Sequence, residues 1–247
     1  MSKCIVVLSG GQDSTICLYW AKRQFDVVHC VSFDYGQRHR IELKSAKTVA
    51  KMANVASHQI IKVPNVLTSC SPLTDPKIGL EQYTDYETMD KIIGDRVELT
   101  FVPMRNAFFL TIAANVAISK QCTDLVTGVC QQDNANYPDC RAEFIDSQQH
   151  TVNNALGIDQ FTIHTPLMDM SKAQSIQLAQ TLDGCIEALA YSHTCYAGKY
   201  PPCGKCHSCV LRAQGFKEAG VPDPLIERTK HQHWFGNPVM DNFWIRP

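Results

Sequence analysis

The stretch Val6–Leu18, VVLSGGQDSTICL, decides the fold. Cys4–Gly10, CIVVLSG, is a short β-branched run bounded by Gly-Gly. That is the signature of a buried parallel strand rather than a helix. Helical character resumes at Asp13 and runs to Arg23. A strand that breaks at two glycines and re-enters a helix is an anion-binding turn. Gly10 and Gly11 let the backbone approach a phosphate closely, and the helix start supplies N–H groups and a favourable dipole. Ser9, Ser14 and Thr15 add hydroxyl donors, and Asp13 offers a carboxylate for a magnesium ion.

Outward from this turn the same alternation continues. DVVHCVSFDYG is a second strand, Arg40–Met52 has helical spacing, and HQIIKV is a third strand. Pro64–Val102 is irregular, a length that points to a lid or to small elements of its own. Arg105–Lys120 is an apolar helix, DLVTGV a fourth strand, Arg141–Leu156 a helix and FTIHTPL an extended segment. Ser171–Leu182 is helical again with Ser171 as N-cap. After Gly184 cysteines, glycines and prolines dominate to Cys209, and a short helix follows to about Ala219. The order predicts an α/β fold: a doubly wound, mostly parallel sheet with right-handed crossovers.

The composition fits one such domain. The chain has 247 residues, 45% hydrophobic and 19% charged, enough for a substantial core. A net charge of -1 argues against direct nucleic-acid binding, which usually needs a basic surface. No secretory signal and no apolar run of membrane-spanning length is visible, so a cytoplasmic, membrane-free protein is expected.

The turn lacks one thing. A Walker A loop would place a lysine on the β- and γ-phosphates, and no lysine follows here. The dinucleotide fingerprint G-x-G-x-x-G is missing as well. If the turn holds the terminal phosphates of a nucleotide, their charge is not met within the loop itself. The cations that neutralise them then have to come from distant segments.

The twelve cysteines divide into two populations. Eight are scattered, mostly in apolar segments, as small core residues are in a reducing compartment. The other four read Cys195-x7-Cys203-x2-Cys206-x2-Cys209 on a Gly/Pro-rich knuckle. Four thiolates at this spacing suit a closed, structural tetrahedral Zn²⁺ site, with an iron–sulfur cluster as the alternative. His193 and His207 lie beside the knuckle but are surplus to it, and are expected at the surface or behind the ligands.

SGGQDST resembles the loop of the PP-loop, or N-type, ATP pyrophosphatases, whose members bind ATP and adenylate an oxygen with release of pyrophosphate. Further motifs follow in order: FDYGQRH (Phe33–His39), VPMRN (Val102–Asn106), GVCQQDNANYPDCR (Gly128–Arg141), TPLMDMSKA (Thr165–Ala173) and the four cysteines. Together, over roughly residues 1–220, they closely resemble the 7-cyano-7-deazaguanine synthase family of queuosine-precursor synthesis.

The resemblance implies an adenine nucleotide alpha hydrolase-like fold and an ATP-dependent, C–N bond-forming ligase. The small-molecule substrates would be 7-carboxy-7-deazaguanine, ammonia and ATP, with Mg²⁺ accompanying ATP and one structural Zn²⁺ per chain. It also implies a homodimer. Residues 1–184 would form the ATP-binding domain, 185–220 the zinc-binding knuckle, and 221–247 a tail packed on the domain or a dimer partner. Four aromatics, Trp234, Phe235, Phe243 and Trp244, support a packed tail.

Site roles follow from the motif matches. Asp13, Arg38 and Lys172 are the expected catalytic groups, Arg38 and Lys172 as phosphate-neutralising cations. Leu8, Ser9, Gly10, Gly11, Gln12, Asp13, Ser14, Thr15, Ile16, Cys17 and Leu18 form the ATP segment, with Arg105 and Asn106 near the nucleoside. Asp133, Tyr137, Asp139 and Arg141 are expected at the substrate: Asp133 assisting metal or amine, Tyr137 stacking, Asp139 accepting N–H groups and Arg141 meeting the carboxylate. Cys140 is read as a wall residue. The alternative is a PP-loop tRNA-thiolating or other adenylating enzyme with a Cys₄ metal site. A thiolating enzyme would need a reactive cysteine pair beside the loop and a basic RNA face, and Cys17 and Cys30 are poorly placed for it.

Overall fold

The computed structural model describes residues 1–64, 66–67, 70–131 and 135–231. Its centre is a five-stranded sheet in the order β3-β2-β1-β4-β5 with every neighbouring pair parallel. The strands are β1 (Lys3–Val7), β2 (Val27–Asp34), β3 (Ser57–Lys62), β4 (Asp124–Val126) and β5 (Thr162–His164). Helices α1 (Gln12–Gln24) and α2 (Glu42–Met52) connect the first three strands, and α5 (Ala142–Leu156) connects β4 to β5. Chain order thus reverses between β1 and β4, and such switch points leave a crevice at the carboxyl ends of the strands.

Period-two alternation divides the core into two layers. Cys4 and Val6 of β1 face one cluster with Ile16, Leu18, Val49, Ile176, Leu189 and Phe216. Ile5 faces the other, with Phe33, Leu110, Ala113, Phe161 and Val152. The first layer is therefore covered by α1 and α2 with α6 (Lys172–Gln180), α7 (Cys185–Leu189) and α8 (His207–Ala219). The second is covered by α4 (Arg105–Ser119) and α5. The expected doubly wound sheet is what forms.

Several boundaries differ from the sequence reading. β4 ends at Val126, not in the following Gly-Val. Gly128 explains this: a Cβ there would lie 2.9 Å from the Ser14 backbone nitrogen, so the chain leaves the sheet to pass the start of α1. β5 stops at His164. The segment read as irregular carries α3 (Tyr86–Ile93), started by the Asp85 carboxylate accepting from Thr88 N–H at 2.8 Å. Met89 and Ile93 of α3 pack with Val210 and Leu211 of α8. Ser171 caps α6 in a full capping box with Gln174.

Val221–His231 contains α9 (Pro224–His231). Its Leu225 is buried, and the Arg228 guanidinium lies 4.5 Å from the Tyr191 ring centroid. A bidentate pair from Arg212 of α8 to Asp223, at 2.7 and 2.8 Å, holds the start of α9. The aromatics Trp234, Phe235, Phe243 and Trp244, expected to pack, lie outside the described residues. Among the described residues no helix is long and apolar enough to cross a membrane.

Candidate active site

A cleft of about 280 Å³ opens at the switch point between β1 and β4. Its floor is the turn that opened the sequence. Gly10 has φ +93°, and a Cβ on it would meet Glu42 O at 2.2 Å and Ala46 N at 2.6 Å, so α2 closes the turn from behind. Ser14 Oγ accepts from Gly10 N–H (3.2 Å), donates to Gly11 O (3.1 Å) and lies 3.0 Å from Ser9 Oγ. Ser9 Oγ accepts from Gly11 N–H at 3.2 Å. The hydroxyls thus hold the turn open as well as lining it. Gly11 is the N-cap of α1 and supplies no side-chain cap, which leaves the helix start to a ligand.

Leu8, Ser9, Gly11, Gln12, Asp13 and Ser14 line the cleft. Thr15, Ile16, Cys17 and Leu18 do not: Thr15 Oγ1 donates to Gly11 O, and the other three are buried in the core. The helix turns them away from the loop, which corrects their expected place at the nucleotide. Burial also pushes the Cys17 thiol well above its ordinary pKa, with the nearby Asp13 charge adding to it. A thiolating enzyme would need the opposite.

Three other helices begin at the same cleft. Arg105 and Asn106 open α4, Lys172 opens α6, and His207 and Ser208 open α8, and all five line the cavity with the first turn of α1. The starts of α1 and α8 have no side-chain cap and keep their partial positive charge for a ligand, whereas the start of α4 is met by Asp139 and that of α6 by Ser171. Lys172 adds a full charge. A lysine in a first helical turn opposes the helix dipole, yet its Nζ reaches across to both Asp13 carboxylate oxygens at 3.0 Å. Lys172 thus brings a cation from a distant segment to the cleft, paired with Asp13 beside the turn.

Arg38 does not. Its guanidinium donates to Pro76 O (2.8 Å) and Ile78 O (2.9 Å), bracing the long connection away from the cleft. The motif around it is mostly self-bracing. The Gln37 amide accepts from Tyr35 N–H (3.0 Å) and donates to Phe33 O (3.1 Å) and Glu42 Oε1 (2.9 Å). Arg105 takes the position at the cleft instead, with Nη1 3.5 Å from Tyr35 Oη. Arg38→Ala is expected to change kcat/KM for ATP by less than about 3-fold while lowering stability by about 1–3 kcal/mol. Steady-state kinetics with thermal denaturation checks both.

The far wall is aromatic. Phe33 stacks on Phe109 with centroids 4.1 Å apart and planes within 4°, and Tyr35 and Tyr137 extend the wall. The Tyr137 ring lines the cleft, while its hydroxyl turns outward to Thr100 Oγ1 and Glu98. Asp139 departs from its expected role. Its Oδ2 accepts from Asn106 N–H at 3.1 Å, and Asn106 Nδ2 donates back to Asp139 O at 3.0 Å. It is an internal clamp on the start of α4, buried at 7% exposure, and not part of the lining. Burial raises its carboxyl above the usual range, partly offset by those Asn106 bonds. Arg141 is exposed and lines the cleft, and Cys140 is a wall residue bonded by Asn106 Nδ2 at 3.4 Å. Asp133 lies outside the described residues.

The knuckle stands directly against this cleft. The sulfurs of Cys195, Cys203, Cys206 and Cys209 all lie within 4.8 Å of one another. Backbone N–H groups already point at them: Cys203 N–H to Cys195 Sγ (3.3 Å), and Lys205 and Cys206 N–H to Cys203 Sγ (3.5 and 3.4 Å). Hydrogen bonds from Cys206 and Cys209 hold the Cys195 thiol far below its usual range. The same hydrogen bonds push Cys206 and Cys209 up, so in the absence of an ion one thiolate is shared among neighbouring thiols. Four converging soft donors fit a metal ion.

Between knuckle and loop runs the segment 192–196. His193 N–H donates to Gly10 O at 2.8 Å, and Ser208 Oγ donates to Thr194 O at 2.6 Å. His193 and His207 are buried at 3% exposure and line the cleft, which removes the surface alternative of their expected placement and leaves them beside the knuckle. Burial lowers each imidazole to a pKa of about 4, so both are neutral near pH 7. Among the described residues, His193 Nε2, both His207 ring nitrogens and both Gln12 amide atoms have no hydrogen-bond partner. Buried polar atoms of this kind are costly unless a ligand or water meets them. Spacing alone gave no sign of this, because it depends on how the knuckle packs.

Comparison with known proteins gives the family. The family model described as "Queuosine biosynthesis protein QueC" matches residues 3–220. The chain is 49% identical to the 7-cyano-7-deazaguanine synthase of Laribacter hongkongensis over 227 residues, 91% of this chain and 94% of that one. It is 48% identical to the enzyme of that name from Chromobacterium violaceum (92% and 94%). For Gloeobacter violaceus the identity is 45% (91% and 96%). With a lysine-free phosphate turn, a cleft at the switch point and a four-cysteine knuckle beside it, the chain belongs to the QueC family of 7-cyano-7-deazaguanine synthases.

Proposed function

We propose that this chain is an ATP-dependent ligase that converts 7-carboxy-7-deazaguanine and ammonia into 7-cyano-7-deazaguanine. A carboxylate oxygen attacks the α-phosphate of ATP and pyrophosphate leaves. Ammonia adds to the acyl-adenylate carbonyl and AMP leaves, giving the amide. The amide oxygen then attacks a second ATP, again releasing pyrophosphate. Loss of two N–H protons and AMP leaves the nitrile.

The observation that carries this reading is the meeting of Lys172 and the uncapped starts of α1 and α8 at a phosphate turn without its own lysine. Such an array is preorganised for charge that develops on departing pyrophosphate. In this reading Ser9–Ser14 hold the β- and γ-phosphates, and Lys172 neutralises them. Asp13 orients Lys172 and offers a carboxylate to the Mg²⁺ that accompanies ATP. Arg105 and Asn106 flank the nucleoside beside the stacked Phe33 and Phe109. Tyr137 walls the deazapurine, Arg141 meets its carboxylate, and Asp133 assists the incoming amine. The knuckle holds Zn²⁺ as a closed structural site, bound by Cys195, Cys203, Cys206 and Cys209. The units 1–184, 185–220 and 221–247 divide these tasks within a cytoplasmic homodimer fed by ammonia.

The test is incubation of the purified protein with ATP, ammonium and 7-carboxy-7-deazaguanine, with products identified by mass. The nitrile with AMP and pyrophosphate is expected. ADP and inorganic phosphate with unchanged acid would overturn the proposal.

A further inference from the structure

Gly215 sits in the middle of α8, buried, where a glycine destabilises a helix by about 1 kcal/mol relative to alanine. Its φ is not in the left-handed region, so backbone conformation does not require glycine. Space does. A Cβ at this position would lie 2.5 Å from Lys172 Cγ and 2.9 Å from Lys172 Cβ. Those atoms form the root of the lysine side chain, which cannot swing aside as its tip can. The next atom, Ile176 Cδ1, is at 3.2 Å and can adjust.

The Lys172 stem therefore lies across the bare backbone of α8 on its way to Asp13, 3.0 Å from Nζ. We propose that Gly215 is a positioning residue: the missing side chain on the knuckle's helix is the groove that aims Lys172 into the phosphate site. The inference rests on the proposed role of Lys172. It extends that role by making α8, which begins at the metal ligand Cys206, a determinant of where the site's cation stands.

A change near 1 Å in the position of a catalytic group can reduce rate by about 100-fold. Gly215→Ala is accordingly expected to lower kcat/KM for ATP by about 10- to 100-fold. In a Lys172→Ala background the same substitution should cost less than about 2-fold, because no lysine remains to be displaced. Thermal denaturation gives a readout independent of turnover. Gly215→Ala should lower Tm markedly with Lys172 present and clearly less in the Lys172→Ala background, where the 2.5 Å contact with Lys172 Cγ is gone and only the Cβ contact at 2.9 Å remains.

Equal fold-losses in the two backgrounds, or no loss from Gly215→Ala alone, would overturn the proposal. So would a Tm drop of the same size in both, or failure to fold in both, since either puts the clash on Ile176 or on the Cβ that alanine keeps, and not on the lysine stem. Folding restored by Lys172→Ala would support it. If the wild-type protein makes no AMP and pyrophosphate, the ligase reading fails, while the Tm comparison still decides the groove.

Discussion

Asp13→Ala is expected to abolish ATP-dependent turnover, with kcat falling by about 10²–10³-fold or more, while the fold survives. The size of the effect follows from two losses at once. Asp13 stands in the first turn of α1 on the cleft wall, and both its carboxylate oxygens bond Lys172 Nζ at 3.0 Å. Removing the carboxylate takes away the oxygen proposed to meet Mg²⁺ and frees the lysine from the geometry that holds it. Fold survival follows from position. The Asp13 side chain is 26% exposed and Lys172 10%, so the pair contributes about 1–2 kcal/mol, less than a fully buried one. Lys172→Ala should give a loss of similar order, and the double variant should be little worse than either single one. Pyrophosphate release under saturating substrates, beside circular dichroism, measures both. Near-normal turnover in Asp13→Ala would remove the loop from the chemistry.

The second large effect is on stability. Cys206→Ser should lose the bound metal, and with it about 4 kcal/mol of folding free energy. For a chain of this size that corresponds to a fall in Tm of roughly 8–16 °C. Cys206 is a converging thiol directly before α8, so losing the metal unties the knuckle from the helix that carries Ser208, Arg212 and Gly215, although serine is itself a good N-cap. The disturbance should reach the phosphate turn through short links: Ser208 Oγ to Thr194 O, then His193 N–H to Gly10 O. A rise in KM for ATP should therefore accompany metal loss. Metal content by elemental analysis, set against the melting curve, checks the claim. A variant that stays fully stable without metal would rule out a structural metal.

The sheet, the phosphate turn and the cysteine knuckle were legible because each rests on local signals. A β-branched run ending at Gly10-Gly11 can be read within a dozen residues, and the four cysteines advertise themselves by spacing. Ser171 was legible as a cap for the same reason. What stayed hidden depends on tertiary direction. Arg38 carries the right charge in the right motif, yet its side chain follows the carbonyls of Pro76 and Ile78, far along the chain. Asp139 looked like a substrate acceptor until the start of α4 arrived beside it and used it. His193 and His207 are set by the knuckle folding over the cleft, and Gly215 is meaningful only once α6 lies against α8. The meeting of the α1 and α8 starts at the cleft is likewise a property of the assembled fold.

The central claim is attack on the α-phosphate by an oxygen of the substrate, and isotope transfer tests it most directly. 7-Carboxy-7-deazaguanine labelled with ¹⁸O in both carboxylate oxygens is turned over with ATP and ammonium, and the nucleotides are weighed. Two AMP molecules per nitrile, each carrying one ¹⁸O, are predicted, the first from the acid and the second from the amide. Label appearing in inorganic phosphate with ADP, or unlabelled AMP, would contradict the account.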